Sequence, residues 1–271
     1  MNQDQQTADA FASSWNNVGT GSVYTRGQIV DWFYPLSPSD FSKKSILELG
    51  CGNASILLHV MNWGVREAVA VDLGASVESA RSNLLRADIG NCKVVQSDLT
   101  EYRSEPCDIS YCIGVLHHLK NPKSGFDAVI ENTKRGGRFH CWVYAHEGNA
   151  IIRWFVEPIR RITCKLPWWF TKYLVATPLA VPFFLYAKTL QMIGSTWLVE
   201  HSPLGNYAQW IAKREFSFFR HVAFDQLVTP QTAYIKRAQV EDWLSDPRIA
   251  PSSIYIIFRN SNSWKFGGRM A

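Results

Sequence analysis

From Ser45 to Tyr144 the sequence alternates short β-branched apolar runs with stretches of helical spacing, and no other feature restricts the fold as tightly. Residues 45–49 read as a short buried strand and residues 54–63 as a helix. Residues 68–71 form a second strand that ends at Asp72. Ser76 can cap a helix running to Arg86, with Glu78 in its first turn, where the helix dipole favours negative charge. Residues 92–96 are a third strand ending near Asp98, and residues 108–113 a fourth. Residues 125–133 predict a helix stopped by Gly136-Gly137, and residues 138–144 a fifth strand. Strand and helix in this rhythm build βαβ units, hence a parallel sheet with helices on both faces. The pattern resumes with a helix over 237–244, a strand over 252–259, turn chemistry at Asn260-Ser261-Asn262 and an antiparallel return over 263–266. The expected fold is α/β: a Rossmann-like three-layer sandwich whose seven-stranded, mostly parallel sheet has an antiparallel last strand, plus an α-helical insertion.

The first strand runs into ILELGCGNAS, residues 46–55. Gly50 and Gly52 permit a sharp strand-to-helix turn and let a ligand approach the backbone. A dinucleotide fingerprint would carry a third glycine, and Ser55 stands in its place. Asp72 follows the turn by about 20 residues, the spacing at which a carboxylate grips a ribose diol. Asp98, in SDL at the end of the third strand, can accept from an exocyclic adenine amine, and Glu48 puts further negative charge beside the turn. Three acids around one crevice repel a pyrophosphate. They suit a ligand that carries ribose, adenine and positive charge, and S-adenosylmethionine has all three.

On these residues the chain resembles a class I S-adenosylmethionine-dependent methyltransferase of the type 11 small-molecule group. The resemblance is good over residues 45–147 and looser over 235–268. It implies that the turn Glu48, Gly50, Cys51, Gly52 and Asn53 holds the methionine moiety. It implies that Asp72 binds the ribose with Leu73 beside the adenine, and that Asp98 and Leu99 meet the adenine. The fourth-strand segment, beginning Cys112, Ile113 and Gly114, would line the methionine side and face the acceptor. The glycine pair Gly136-Gly137 fits the family as well. None of these motifs specifies the acceptor. A nicotinamide-dependent oxidoreductase shares the turn and Asp72 but not Asp98, and a non-catalytic binding module on the same scaffold is the other alternative.

Further candidates come from position. His118 sits where the fourth strand opens into the crevice and could take a proton from an attacking hydroxyl or amine; capping or packing is its ordinary alternative. His146 and Glu147 follow the fifth strand at its carboxyl end, where open α/β sheets bind ligands. Tyr24, in a stretch expected to form helices covering the cofactor, could touch it. Asp225, Thr229 and Tyr234 belong to a segment that could frame the acceptor as a buried loop around Pro230. No metal-ligating constellation is present.

The expected organisation is a helical lid over residues 1–44, the cofactor-binding core over 45–147, an insertion over 148–202, and the rest of the core over 203–271. The insertion is aromatic, basic and interrupted by prolines. Its longest uncharged run, residues 173–187, is shorter than the ~20 residues a spanning helix wants. Peripheral membrane contact, a lid over an apolar acceptor and a homodimer contact through residues 150–200 all fit it. The net charge of +5 permits an anionic partner without demanding one, and the absence of a long Lys/Arg run argues against nucleic acid. Six scattered cysteines without CxxC spacing read as reduced, mostly buried thiols. With a polar N-terminus unlike a signal peptide, they lead to an expected place in the cytoplasm, at most peripheral to the inner face of the membrane. The expected reaction is methyl transfer to a small, partly apolar molecule, a lipid or a lipid-linked sugar, with oxygen before nitrogen as the attacked atom.

Overall fold

The computed structural model describes residues 3–16, 22 and 24–271. Its strands are β1 (Ser45–Leu49), β2 (Glu67–Asp72), β3 (Cys92–Gln96), β4 (Cys107–Ile113), β5 (Thr133–Tyr144), β6 (Tyr255–Arg259) and β7 (Ser263–Arg269). They form one sheet in the order β3-β2-β1-β4-β5-β7-β6. β1 lies parallel to β2 and β4, pairing Leu49 with Val71 and Glu48 with Tyr111. The β2–β3 and β4–β5 pairs are parallel too. At one end of β5 the Gly136 N–H donates to the Met270 carbonyl, and just past the other end the Ala145 N–H donates to that of Asn262, each at 3.0 Å. β7 therefore runs antiparallel, as expected of the last strand. All of β4 is buried, which is why CDISYCI carries little alternation.

Aromatic residues from before β1 fill the core beside it. Phe33 meets Phe41, Trp63 and Tyr111 edge to face at 4.9–5.5 Å between ring centres. Thr25 caps the helix Arg26–Phe33 reciprocally with Gln28. Two buried groups clip that helix to the sheet: His140 Nε2 donates to the Trp32 carbonyl, and Lys265 Nζ to that of Asp31.

Element boundaries depart from expectation where local chemistry intervenes. The first crossover helix is only Leu57–Met61, because Gly50, Gly52 and Ala54 all take positive φ and delay its start. The helix expected over 125–133 is Pro122–Glu131, with Asn121 accepting from the Lys123 N–H at its start. Gly136-Gly137 does not stop it. The pair lies within β5, where Gly136 has φ 72° and the register against β4 shifts between Cys107 and Ile109. Of the expected N-terminal lid, the helices Gln3–Asn16 and Arg26–Phe33 are seen, while residues 1, 2, 17–21 and 23 lie outside the described residues.

The chain divides into two compact units, Met1–Tyr144 with Gln231–Ile257 and Trp264–Ala271, and Ala145–Pro230 with Phe258–Ser263. The inserted unit thus reaches well beyond the expected 148–202 and takes in the helices Gly205–Ala212 and Phe216–Val228. Its prolines do not break it. One helix runs unbroken over Trp168–Ile193. The Thr177 N–H reaches back five residues to the Lys172 carbonyl, and the Glu157 N–H likewise to that of Ile152. Each widened turn stands just before a proline, Pro178 or Pro158, whose ring a normal turn would crowd. Gly194, at φ 69°, ends the long helix.

Candidate functional site

At the carboxyl end of β1 the backbone is bare. Gly50 has φ 84° and Gly52 φ 53°. A Cβ on Gly50 would stand 2.4 Å from Val115 Cγ2, so the turn and the β4 loop approach more closely than any side chain allows. Asp72 knits this turn to the next. Its Oδ2 accepts from the Gly52 N–H at 2.8 Å, and its Oδ1 accepts from the Gly74 N–H at 2.9 Å and the Ser76 hydroxyl at 3.2 Å. The carboxylate that the sequence assigns to a ribose also shapes the backbone around it.

Two of the three predicted acids stand at the ends of neighbouring strands, Glu48 buried and Asp72 half-buried. Burial pushes the Glu48 carboxyl well above the usual carboxylate range; the Tyr111 hydroxyl opposes the shift, and the charge of Asp72 adds to it. Burial raises Asp72 as well, against the hydrogen bonds from Gly74, Gly52 and Ser76. Glu48 Oε2 has no hydrogen-bond partner among the described residues. Two neighbouring acids, one of them fully buried, are costly to ionise together in low dielectric, and a cation seated beside them would relieve it.

The other expected cofactor residues fall into two groups. Cys112, Ile113 and Gly114 bring β4 to the crevice, with Gly114 at φ 79° and its α-carbon facing the Trp142 ring. Cys51, Asn53, Leu73, Asp98 and Leu99 stand at the ends of β1, β2 and β3 as expected, but several side chains are already engaged. The Cys51 thiol lies against the Gly52 carbonyl. Asn53 accepts from the Ser55 N–H and hydroxyl, and Asp98 Oδ1 from the Thr100 N–H and hydroxyl. Leu73 offers its carbonyl to Gln96, while Leu99 is buried.

The helix Gln3–Asn16 crosses this end of the sheet. Asp4 accepts from the Lys120 N–H at 2.7 Å. The Ala8 carbonyl lies so near Gly74 that a Cβ there would stand 2.9 Å from it. Phe11 meets the His118 ring at 4.9 Å. Further on, Ser22 donates to the Ser55 carbonyl. Tyr24 packs on Trp32 at 4.6 Å, and Trp32 stacks on Trp142 at 6.0 Å. The indole N–H groups of Trp32 and Trp142 have no hydrogen-bond partner among the described residues.

His118 is buried on a single turn after β4. Its Nδ1 faces the Gln231 carbonyl at 2.9 Å and the Thr232 hydroxyl at 3.2 Å. A carbonyl only accepts, so Nδ1 carries the proton and Nε2 is the basic nitrogen of the neutral ring. Tyr234 stacks against Tyr144 on the same side. Sequence reasoning missed Gln231, Thr232, Phe11, Asp4 and Trp142. Gln231 is 113 positions from His118, and no local pattern could couple them.

His146, Glu147, Asp225 and Thr229 belong to the second unit. His146 Nε2 is the partner of an Arg153 guanidinium N–H. Asp225 lies inside the helix Phe216–Val228 rather than on the expected loop, because the apolar run of that segment extends the helix past it. It stands 3.3 Å from His221, and Thr229 donates to its carbonyl.

The fold is an α/β domain of the Rossmann-like class. Residues 47–141 match the model of a methyltransferase domain. It is 29% identical over 143 residues to an uncharacterized protein of Synechococcus sp., covering 47% of this chain and 34% of the relative. It is 22% identical over 180 residues to pavine N-methyltransferase of Thalictrum flavum subsp. glaucum, covering 63% and 48%. The chain spans a third to a half of the length of these curated relatives. Among solved structures, an O-methyltransferase family protein from Burkholderia thailandensis shares the fold, with a TM-score of 0.53 at 12% identity, over 90% of this chain and 56% of that one.

Proposed function

We propose that this protein transfers a methyl group from S-adenosylmethionine to a small, partly apolar acceptor, with a hydroxyl oxygen as the attacked atom. The observation that carries this reading is the acid pair beside the glycine turn, buried Glu48 and half-buried Asp72, a setting that favours a cationic nucleoside over a dianionic dinucleotide. Asp72 and Asp98 would hold ribose and adenine, the backbone of 50–53 the methionine moiety, and Glu48 the positive end. When bound, S-adenosylmethionine supplies a methyl already activated on a sulfonium, so the chain's own task is to align, dry and deprotonate.

Each task has residues to match. Phe11, Tyr24 and Trp32, from segments preceding β1, bring aromatic surface against His118 and Trp142 and exclude water. The indole N–H groups of Trp32 and Trp142 are suited to orient an acceptor oxygen. His118 Nε2 is placed to take the acceptor's proton, and the Gln231 carbonyl holds the ring in the tautomer that can do so. The free state of all six cysteines is in keeping with a reducing compartment.

Calorimetry with S-adenosylmethionine and with nicotinamide dinucleotides tests the cofactor. Binding of the former alone is expected, and preference for a dinucleotide would overturn the reading. Incubating the protein and methyl-deuterated cofactor with a metabolite extract, then searching for products heavier by one labelled methyl, identifies the acceptor. Absence of any labelled product across lipid and polar fractions would reject catalysis.

A further inference from the structure

The second unit carries two helices whose pattern is turned inside out. On the helix over 150–163 the outward positions include Ile151, Trp154, Phe155, Pro158 and Ile162, at spacings of three and four, with Arg161 as the one charge at their edge. Trp154 is 77% exposed and Phe155 69%. The buried side of the same helix holds Arg160 and Thr163. On Trp168–Ile193 the exposed face includes Leu174, Pro178, Val181, Pro182, Leu185 and Met192, with Leu185 60% and Met192 87% exposed. Its buried face is lined by the small residues Ala176, Ala180 and Ala187 together with Leu190, with Phe183 and Phe184 half-buried beside them. A soluble helix does the reverse, placing large apolar residues inward and charge outward. Small residues inward and large apolar residues outward is the arrangement of helices that meet lipid. Scattered exposed leucines need no explanation, but two helical faces so largely apolar do.

Charge says what covers these faces. Over residues 151–193 there are six basic residues against Glu157 alone, which gives this segment a formal charge equal to the +5 of the whole chain. Glu157 is engaged by Arg160 at 3.1 Å. Arg161, at the edge of the first face, and Lys165, between the two helices, are both exposed, and Trp168 and Trp169 follow at once. Lys172 Nζ lies over the Trp168 and Tyr173 rings, at 5.8 and 5.9 Å from their centres. Cations and indoles bordering an apolar face match the headgroup zone of an anionic bilayer. In a two-fold dimer the same patch would meet itself and bring these cations together.

The depth follows from length. Trp168–Ile193 is long and apolar enough to cross a membrane. Between Lys172 and Lys188, however, only 15 residues are free of charge, about 22 Å of helix against a hydrocarbon core of about 30 Å. Its other face packs on the helices Gly205–Ala212 and Phe216–Val228 through Ala180, Ala187, Leu190, Ile211 and Phe219. One face is left for lipid.

We infer that the outward faces of 150–163 and Trp168–Ile193 form a docking surface that seats this protein in the headgroup and upper acyl region of an anionic membrane, without crossing it. The test is flotation of the full chain with vesicles of phosphatidylcholine alone and of phosphatidylcholine with about one-third phosphatidylglycerol. The chain is expected to float with the anionic vesicles and at least tenfold less with the neutral ones. The triple variant Trp154→Ser/Phe155→Ser/Leu185→Ser should lose flotation at least tenfold while keeping the wild-type circular dichroism and cofactor affinity. Arg161→Glu/Lys165→Glu should abolish the preference for anionic lipid. Failure of the wild-type chain to float with either vesicle would overturn the proposal. So would a triple variant that floats undiminished, or a lipid-free wild-type dimer that the triple variant converts to monomer, which would assign the surface to a second copy. None of these outcomes depends on methyl transfer.

Discussion

The Gln231 carbonyl accepts a hydrogen bond from the Nδ1–H of His118 across 113 positions of sequence, at 2.9 Å. A backbone oxygen cannot be removed by mutation, so the imidazole is oriented by the fold itself. His118→Ala is expected to lower kcat by about 10²–10⁴-fold with less than twofold change in cofactor affinity by calorimetry. Full activity at every pH would reduce His118 to a packing residue.

Asp72 does two things at once. Asp72→Ala should abolish measurable cofactor binding. It also removes the acceptor of the Gly52 and Gly74 N–H groups and the Ser76 hydroxyl. Leaving such donors unmet costs about 2–4 kcal/mol in all, so urea unfolding should shift to markedly lower concentration. Unchanged affinity in a folded variant would withdraw Asp72 from the ribose.

Glu48 makes the opposite trade. Burial raises its folded-state pKa above the unfolded value. Between those two values the folded state holds more protons, so its stability falls as pH rises through the window. Glu48→Gln removes that loss. The variant should gain about 2–4 °C in Tm over the wild type at pH 8 and show a flatter profile down to pH 5. It should also bind S-adenosylmethionine at least tenfold more weakly.

The same shift gives the cofactor a pH signature. A cation beside Glu48 and Asp72 favours their ionised forms, so affinity should rise with pH between 5 and 8. S-adenosylhomocysteine lacks the sulfonium charge and should show a shallower rise. Parallel titrations of the two ligands read the difference directly, and identical slopes would place the positive end of the ligand elsewhere.

Gly50→Ala meets two penalties, an unfavourable φ of 84° and a Cβ 2.4 Å from Val115. Val115→Ala removes the second but not the first. The single variant should be destabilised by about 2–4 kcal/mol, and the pair should recover more than about 1 kcal/mol relative to additivity by a double-mutant cycle. Strict additivity would mean that the β4 loop simply moves aside.

The sheet was legible because each parallel strand is a short apolar run punctuated by an acid or glycine: Leu49 before Gly50, Val71 before Asp72, Ile113 before Gly114. Those same punctuation marks are the positions that the resemblance assigns to the cofactor, so one pattern led to both the fold and the candidate residues. The acceptor side was not legible. His118 depends on Gln231, and Trp32 on Trp142, pairings that arise only when distant segments pack. Asp225 was misread as a loop residue because a proline five positions on, Pro230, suggested an earlier stop than the helix makes. The prolines of the second unit were misread for a related reason. A widened turn ahead of Pro158 and Pro178 absorbs the ring, and nothing in local composition announces it.

The helix Gln3–Asn16 is moored on both banks of the crevice, by Asp4 on Lys120, Ala8 over Gly74 and Phe11 on His118. If the proposed cofactor lies between those moorings, it can leave only after they let go. Under that proposal spent cofactor would set the tempo: a fast first turnover, followed by cycles paced by the unmooring of a single N-terminal helix.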